Sequence, residues 1–197
     1  MKSFKLALPL AVLAATAATT AFAAPQTFSF DPNHSFVRFG YGHLGFSHQQ
    51  SQFNKVTGTL TYDAAANSGA ADVVIDIKSV NTGSTMFNGH LTSADWFDAD
   101  KFPTATFKST GLRFEGGNPV ALEGDLTIKG VTHPITLTIT HFKAGKNMRK
   151  QDQIGADATA TIKRSDYGLG KFAPMVDDDV TLTVDFEAAA GPPPAAG

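Results

Sequence analysis

Six histidines, no cysteine and a few clustered carboxylates make up the chemically capable side chains of this 197-residue sequence. Without cysteine there is no thiolate nucleophile and no sulfur-ligated zinc site. Neither a Gly-x-Ser-x-Gly elbow nor a His-Glu-x-x-His helix occurs. Asp31, His34 and Ser35 have the residue types of a base beside a nucleophile, but neighbouring residues of a strand face opposite ways. A polar cluster holding the end of the fold is the expectation there. His43 and His48 would need a helix to share one face as metal ligands, and their segment reads as strand and turn without a flanking acid. His90 falls in the one stretch of helical character. It is expected to be a hydrogen-bonded packing residue, with ligand contact or general-base chemistry as alternatives. Arg164-Ser165-Asp166-Tyr167-Gly168 reads as a strand-end turn, with Ser165 or Asp166 bonding local backbone and Gly168 at positive φ. Asp177-Asp178-Asp179 lacks an EF-hand pattern and reads as a solvated loop.

The elements that must position these residues are almost all strands. Val73, Ile75 and Ile77 alternate with Asp72, Asp76 and Lys78. The same period of two runs through Val120–Ile128, Ile135–Ile139, Ile154–Ile162 and Val180–Phe186. Phe28–Asp31, Ser35–Tyr41, Gln52–Asp63 and Thr104–Glu115 bring the expected total to about nine. Asn67-Ser68-Gly69, Gly116-Gly117 and Lys129-Gly130 supply hairpin turns. Consecutive hairpins imply an all-β antiparallel meander that closes as a barrel or stacks as a sandwich. Asn81–Pro103 alone carries no alternation; a short helix is expected within Thr82–Leu91 and a further turn over Ser93–Asp98.

Composition fits a folded chain with a core of its own. Hydrophobic residues make up 42% and charged ones 17%, and the formal net charge is -2. That balance argues against disorder and gives no electrostatic reason for a nucleic-acid partner. Sixteen phenylalanines stand against one tryptophan and three tyrosines. Residues 1–23 read as a signal peptide, with Lys2 and Lys5, the run Leu6–Ala18 and the small-x-small site Ala21-Phe22-Ala23. Residues 24–187 are then the domain, and the Ala/Pro/Gly run 188–197 a disordered tail. Faces rich in small residues (Ala156, Ala158 and Ala160; Ser109 and Gly111; Gly58; Gly124) either leave an apolar space inside the barrel or make room for close packing.

Six ordered motifs add to this reading: Asp31-Pro32-Asn33-His34-Ser35-Phe36; His43-Leu44-Gly45-Phe46-Ser47; His90-Leu91-Thr92-Ser93-Ala94-Asp95-Trp96-Phe97; Phe107-Lys108-Ser109; Gly124-Asp125-Leu126-Thr127-Ile128-Lys129-Gly130-Val131-Thr132-His133-Pro134; and Arg164-Ser165-Asp166-Tyr167-Gly168-Leu169. Together they resemble the YceI-like family of periplasmic polyisoprenoid-binding proteins over about Phe28–Phe186. The resemblance implies an extended, lipocalin-like antiparallel barrel of about eight strands with a helical insertion around residues 82–100. It also implies an apolar tunnel for an isoprenoid such as a polyprenyl pyrophosphate or a quinone, and a periplasmic location. Where the family often carries an Arg-Asp pair, this chain has Phe87-Asn88, which favours a neutral headgroup over a pyrophosphate.

The side chains expected to meet such a ligand are Phe39, Phe53, Leu60, Ile75, Phe87, His90, Leu91, Trp96, Phe97, Phe107, Leu126 and Ala158. No other cofactor is expected, and the partners anticipated are the lipid, a transiently contacted membrane and a second copy of the chain. Burial contributes about 0.8 kcal/mol per CH₂, so two or three isoprene units supply roughly 8–12 kcal/mol gross against association costs of about 4–15 kcal/mol. Chain length, up to the length of the tunnel, is therefore expected to set affinity. A hydrolase or isomerase acting on a lipid headgroup through His90 or His34 is the alternative, and a partner-binding protein with a filled core a third.

Overall fold

The computed structural model describes residues 25–191. The expected signal peptide and the Pro-rich end 192–197 lie outside these residues.

Strand alternation sets the architecture. Eight strands close an antiparallel barrel in the order β1 (Gln26–Phe30), β4 (Val56–Asp63), β5 (Ser68–Asp76), β7 (Thr104–Glu115), β8 (Asn118–Ile128), β9 (Val131–Lys146), β10 (Asp152–Lys163) and β11 (Asp179–Ala190), with β11 returning to β1. The seam is β11. Its end pairs with β1, Phe28 opposite Ala190 and Phe30 opposite Ala188. Its first half pairs with β2 (Phe36–His43), Thr181 opposite Gly40 and Asp185 opposite Phe36. Next to β2 run β3 (Ser47–Phe53) and the two-residue β6 (Val80–Asn81). One end of the barrel is thus closed by β1, while at the other β2 and β3 splay from the seam.

Turn chemistry holds the hairpins in register. Gly116 and Gly117, with φ of 57° and 82°, link β7 to β8, and Lys129 and Gly130, at 53° and 77°, link β8 to β9. Successive positive φ values match the twist of two-residue hairpins. Gln52–Asp63, expected as one strand, is two, broken at Asn54-Lys55. Ile77 leaves the ladder for a single 3-10 turn capped by Asp76. Val120 falls out of its expected alternation because the β7–β8 register shifts there: Arg113 and Phe114 face Ala121 and Pro119. The tail begins later than expected. Ala188–Ala190 belong to β11, and Ala188 is fully buried between β1 and β10, because its methyl fits where a larger side chain would force those strands apart.

The exception to alternation is the helix α1 (Thr85–Thr92), capped by Ser84, whose side chain accepts from the Phe87 N–H. Two helical turns containing Gly89, Asn88 and two threonines are marginal alone. Packing of Phe87 and Leu91 against the barrel core holds α1 in place. The following segment is tied more tightly. Phe97 donates to the Leu91 carbonyl, Ala99 to Thr92 and Phe102 to Asp98, and the Pro103 carbonyl accepts from Ile77.

Candidate functional site

The inward positions of β2, Val37, Phe39, Tyr41 and His43, form one wall of a cavity of about 230 Å³. Phe53, Ile75 and Ile77 continue that wall. Ala105, Leu126, Ile128, Ile162, Val180 and Leu182 from β7, β8, β10 and β11 complete the strand lining. Phe87, His90, Leu91, Trp96 and Phe97 cover it from α1 and the turn after it. Apart from Leu91 the cover is aromatic. Phe53 meets Phe39 at 5.4 Å and Phe97 edge-on at 5.7 Å. His90 stacks on Phe87 at 5.8 Å and meets Trp96 at 5.5 Å, distances typical of attractive ring pairs.

The third part of the mouth is the loop after β10, and Arg164 builds it. Its guanidinium is buried and donates through Nε to the Asp177 carbonyl at 2.8 Å and through Nη2 to Val176 at 2.7 Å. Nη1 donates to Lys171 at 2.9 Å and also to Leu169. Burial pulls its pKa down, while Asp178, Tyr41 and Asp177 oppose that pull; an arginine stays protonated regardless. One cation therefore folds residues 169–177 over the barrel end and brings Tyr167, Leu169, Phe172 and Val176 to the cavity. Asp178 is not merely solvated. It accepts from the Ser165 N–H at 2.9 Å and hydroxyl at 2.6 Å, and these bonds, Ser165's side chain first, lower its pKa. Gly168 adopts the expected positive φ of 71°.

Nine of the twelve residues expected at a ligand, Phe39, Phe53, Ile75, Phe87, His90, Leu91, Trp96, Phe97 and Leu126, come together around this cavity. The other three do not line it. Leu60 packs at the far end with Phe28 and Phe30, and Phe107 and Ala158 are sealed into the barrel core. The small-residue faces are filled rather than empty. A Cβ on Gly124 would sit 2.5 Å from the Phe107 ring, and one on Gly58 would sit 2.1 Å from the Asp72 carbonyl. Glycine here admits a neighbouring ring or strand, and the cavity is lined by large side chains instead. Tyr41, His43, Arg164, Tyr167, Leu169, Phe172 and Val176 escaped the sequence reading. For Arg164, Tyr167 and Leu169 the Arg164–Leu169 motif is a signal, but its role depends on carbonyls up to 13 residues away.

The lining carries no carboxylate and no serine or threonine hydroxyl; its polar side chains are His43, His90, Tyr41, Tyr167, Trp96 and Arg164. The second candidate base lies elsewhere: His34 is paired with Asp31 at 2.9 Å on the exposed rim, as a polar cluster. That hydrogen bond raises the His34 pKa. For Asp31, burial pushes the pKa up, but the bonds from His34 and the Asn33 N–H leave it lowered. Asn88 turns away from any ligand, since its Oδ1 accepts from the Thr82 N–H and hydroxyl, both at 2.8 Å. Within the lining, burial raises the pKa of Tyr41, and burial, then Asp166, raises that of Tyr167; both phenols stay neutral.

A family model described as the YceI-like domain matches residues 28–188. The chain belongs to the YceI-like family. Protein YceI of Escherichia coli is 34% identical over 190 residues, covering 95% of this chain and 97% of the relative. A UPF0312 protein of Vibrio cholerae is 33% identical over 154 residues, covering 77% and 81%. Among solved structures, Burkholderia cenocepacia BcnA matches with a TM-score of 0.68 at 29% identity, over 78% of this chain and 95% of that one. A polyisoprenoid binding domain from Saccharophagus degradans matches with a TM-score of 0.64 over 84% of this chain and 99% of its own. At 20% identity that likeness establishes a shared fold. The eight-stranded antiparallel barrel of this chain is the fold of its family.

Proposed function

We propose that this protein is a lipid-binding module that encloses a long isoprenoid chain, in the periplasm, for carriage or sequestration. The observation that carries the proposal is the cavity itself: an aromatic and aliphatic interior, capped by a two-turn helix, inside a closed barrel. The S. degradans polyisoprenoid binding domain, which shares this fold, supports the choice of ligand. Encapsulation replaces the hydration of each methylene by Phe, Leu, Ile and Val surface, which is the driving force. An enclosed volume of about 230 Å³ lies below the roughly 300–1,000 Å³ of ordinary small-molecule sites. A long chain therefore needs movement of the cover, and α1, a two-turn helix held on the barrel by Phe87 and Leu91, is the element to give way.

The rim suggests how ligand is exchanged. Phe46 is 89% exposed, and Leu44, Phe172 and Met175 are exposed beside it. Leu44 donates its N–H to the Met175 carbonyl at 3.0 Å, so the hairpin and the loop form one apolar edge at the mouth. Such an edge suits transient contact with a bilayer.

Trp96 is the single tryptophan and lines the cavity, so its fluorescence reports occupancy directly. Titrating delipidated protein with a polyprenol or an isoprenoid quinone is expected to change that emission saturably, at one ligand per chain. Linear, non-saturating quenching would contradict the proposal.

A further inference from the structure

Among the described residues two buried side-chain polar atoms have no hydrogen-bond partner, Trp96 Nε1 and Tyr167 OH. Both belong to residues lining the cavity. Leaving a buried donor unpaired is costly, and native proteins do so rarely and at sites with a purpose. Tyr167 is 1% exposed. Its ring is fixed edge-on against His133 at 5.2 Å, and His133 Nε2 is itself bonded to the Asp166 carbonyl. The phenol therefore cannot swing out to water. An indole N–H donates only, and a neutral phenol donates or accepts. Their common complement is an acceptor oxygen with lone pairs.

The cations of the lining bear on the charge of that oxygen. Arg164 is the one guanidinium or ammonium group there, and its bonds go to four backbone carbonyls. Lys171 beside the mouth is paired with Asp95 at 2.9 Å. A diphosphate brought inside would meet no uncommitted guanidinium or ammonium, and burial of an unpaired charge is strongly unfavourable.

We infer that Trp96 and Tyr167 are the polar specificity residues of the cavity, and that they select a ligand carrying a neutral acceptor oxygen, a ketone or quinone carbonyl, over a phosphorylated one. This rests on the lipid-binding reading and adds the headgroup class and the residues that choose it.

The test uses the full protein and three probes with one decyl tail: a decyl-substituted dimethoxybenzoquinone, decylbenzene and decyl diphosphate, each titrated by calorimetry. Wild-type protein is expected to bind the quinone at least tenfold more tightly than the diphosphate. Tyr167→Phe is expected to weaken the quinone about 3- to 10-fold, the equivalent of one net hydrogen bond, and to leave decylbenzene within about twofold. Trp96→Phe, which also removes ring surface, should weaken the quinone more than it weakens decylbenzene, and it serves alone if Tyr167→Phe does not fold. The infrared stretch of the bound quinone carbonyl should shift toward its free value in each variant. Unchanged quinone affinity in both variants, equal losses for quinone and decylbenzene, or diphosphate binding as tight as quinone would overturn the headgroup assignment alone. Failure of all three probes to bind would overturn the lipid reading as well.

Discussion

The two ends of the barrel are built from the same strands and packed in opposite ways. At the end closed by β1, Phe28, Phe30, Leu60, Ala71, Ile154 and Ala188 form a sealed cluster. Phe30 meets Phe186 edge-on at 5.1 Å, and Tyr62 meets Phe142 at 5.3 Å. At the end where β2 and β3 splay, the rings stand around a cavity, and two polar atoms go unpaired. A barrel wall is indifferent to whether its interior is filled. What decides is what completes each end: a wall strand paired on both sides at the first, and a short helix with two loops at the second. The sealed cluster leaves no room for a ligand, and the covered end leaves a cavity.

That division makes substitutions at the two ends separable. The largest effect is expected from Phe28→Ala, which opens a hole in the sealed cluster and should lower the unfolding free energy by about 3–5 kcal/mol in urea titrations, with ligand affinity per folded molecule unchanged. Arg164→Met comes next. It leaves four loop carbonyls without their donor and should cost roughly 2–4 kcal/mol, with faster amide exchange confined to residues 169–177. Phe87→Ala, on a half-buried ring of the cover, should cost less than about 1.5 kcal/mol while raising the ligand dissociation rate about tenfold in stopped-flow release. A stability loss as large as that of Phe28→Ala would remove the distinction between the ends.

Two smaller effects sharpen the picture of the covered end. The Asp178 carboxylate has a lowered pKa in the fold. Its contribution to holding the loop is therefore full above the ordinary value of 3.8 and is lost as pH falls through its lower folded value. Asp178→Asn should flatten the acid side of the stability profile there. Phe46→Ser should change stability by less than about 0.5 kcal/mol and reduce sedimentation with lipid vesicles several-fold. Undiminished sedimentation would remove the rim from the account.

How far these ends were legible from the residues follows from the physics of each. The barrel strands were legible because period-two alternation and paired turn residues are local signals, and Lys129-Gly130 and Gly116-Gly117 turn where expected. The sealed end was half legible: Phe28 and Phe30 read as strand, but Ala188–Ala190 read as tail, because alanines show no alternation and only β1 and β10 make them core. In the covered end the aromatic cluster of α1 and Trp96-Phe97 stood out against the strands. The loop built by Arg164 did not, since its bonds go to backbone carbonyls and carry no sequence pattern. Gly124 and Gly58 misled for a related reason. A small residue shows that something approaches closely, and only the fold says whether that is a ligand or Phe107.

The central claim is that the covered end holds an isoprenoid lipid, and native mass spectrometry of the full protein purified from its host without detergent tests it most directly. The account predicts a one-to-one adduct that organic extraction identifies as a long-chain isoprenoid with a neutral, oxygen-bearing headgroup, absent from a variant whose cavity is filled by Ala105→Trp. A chain that flies at its bare mass, and that takes up no isoprenoid saturably when offered one, would contradict it.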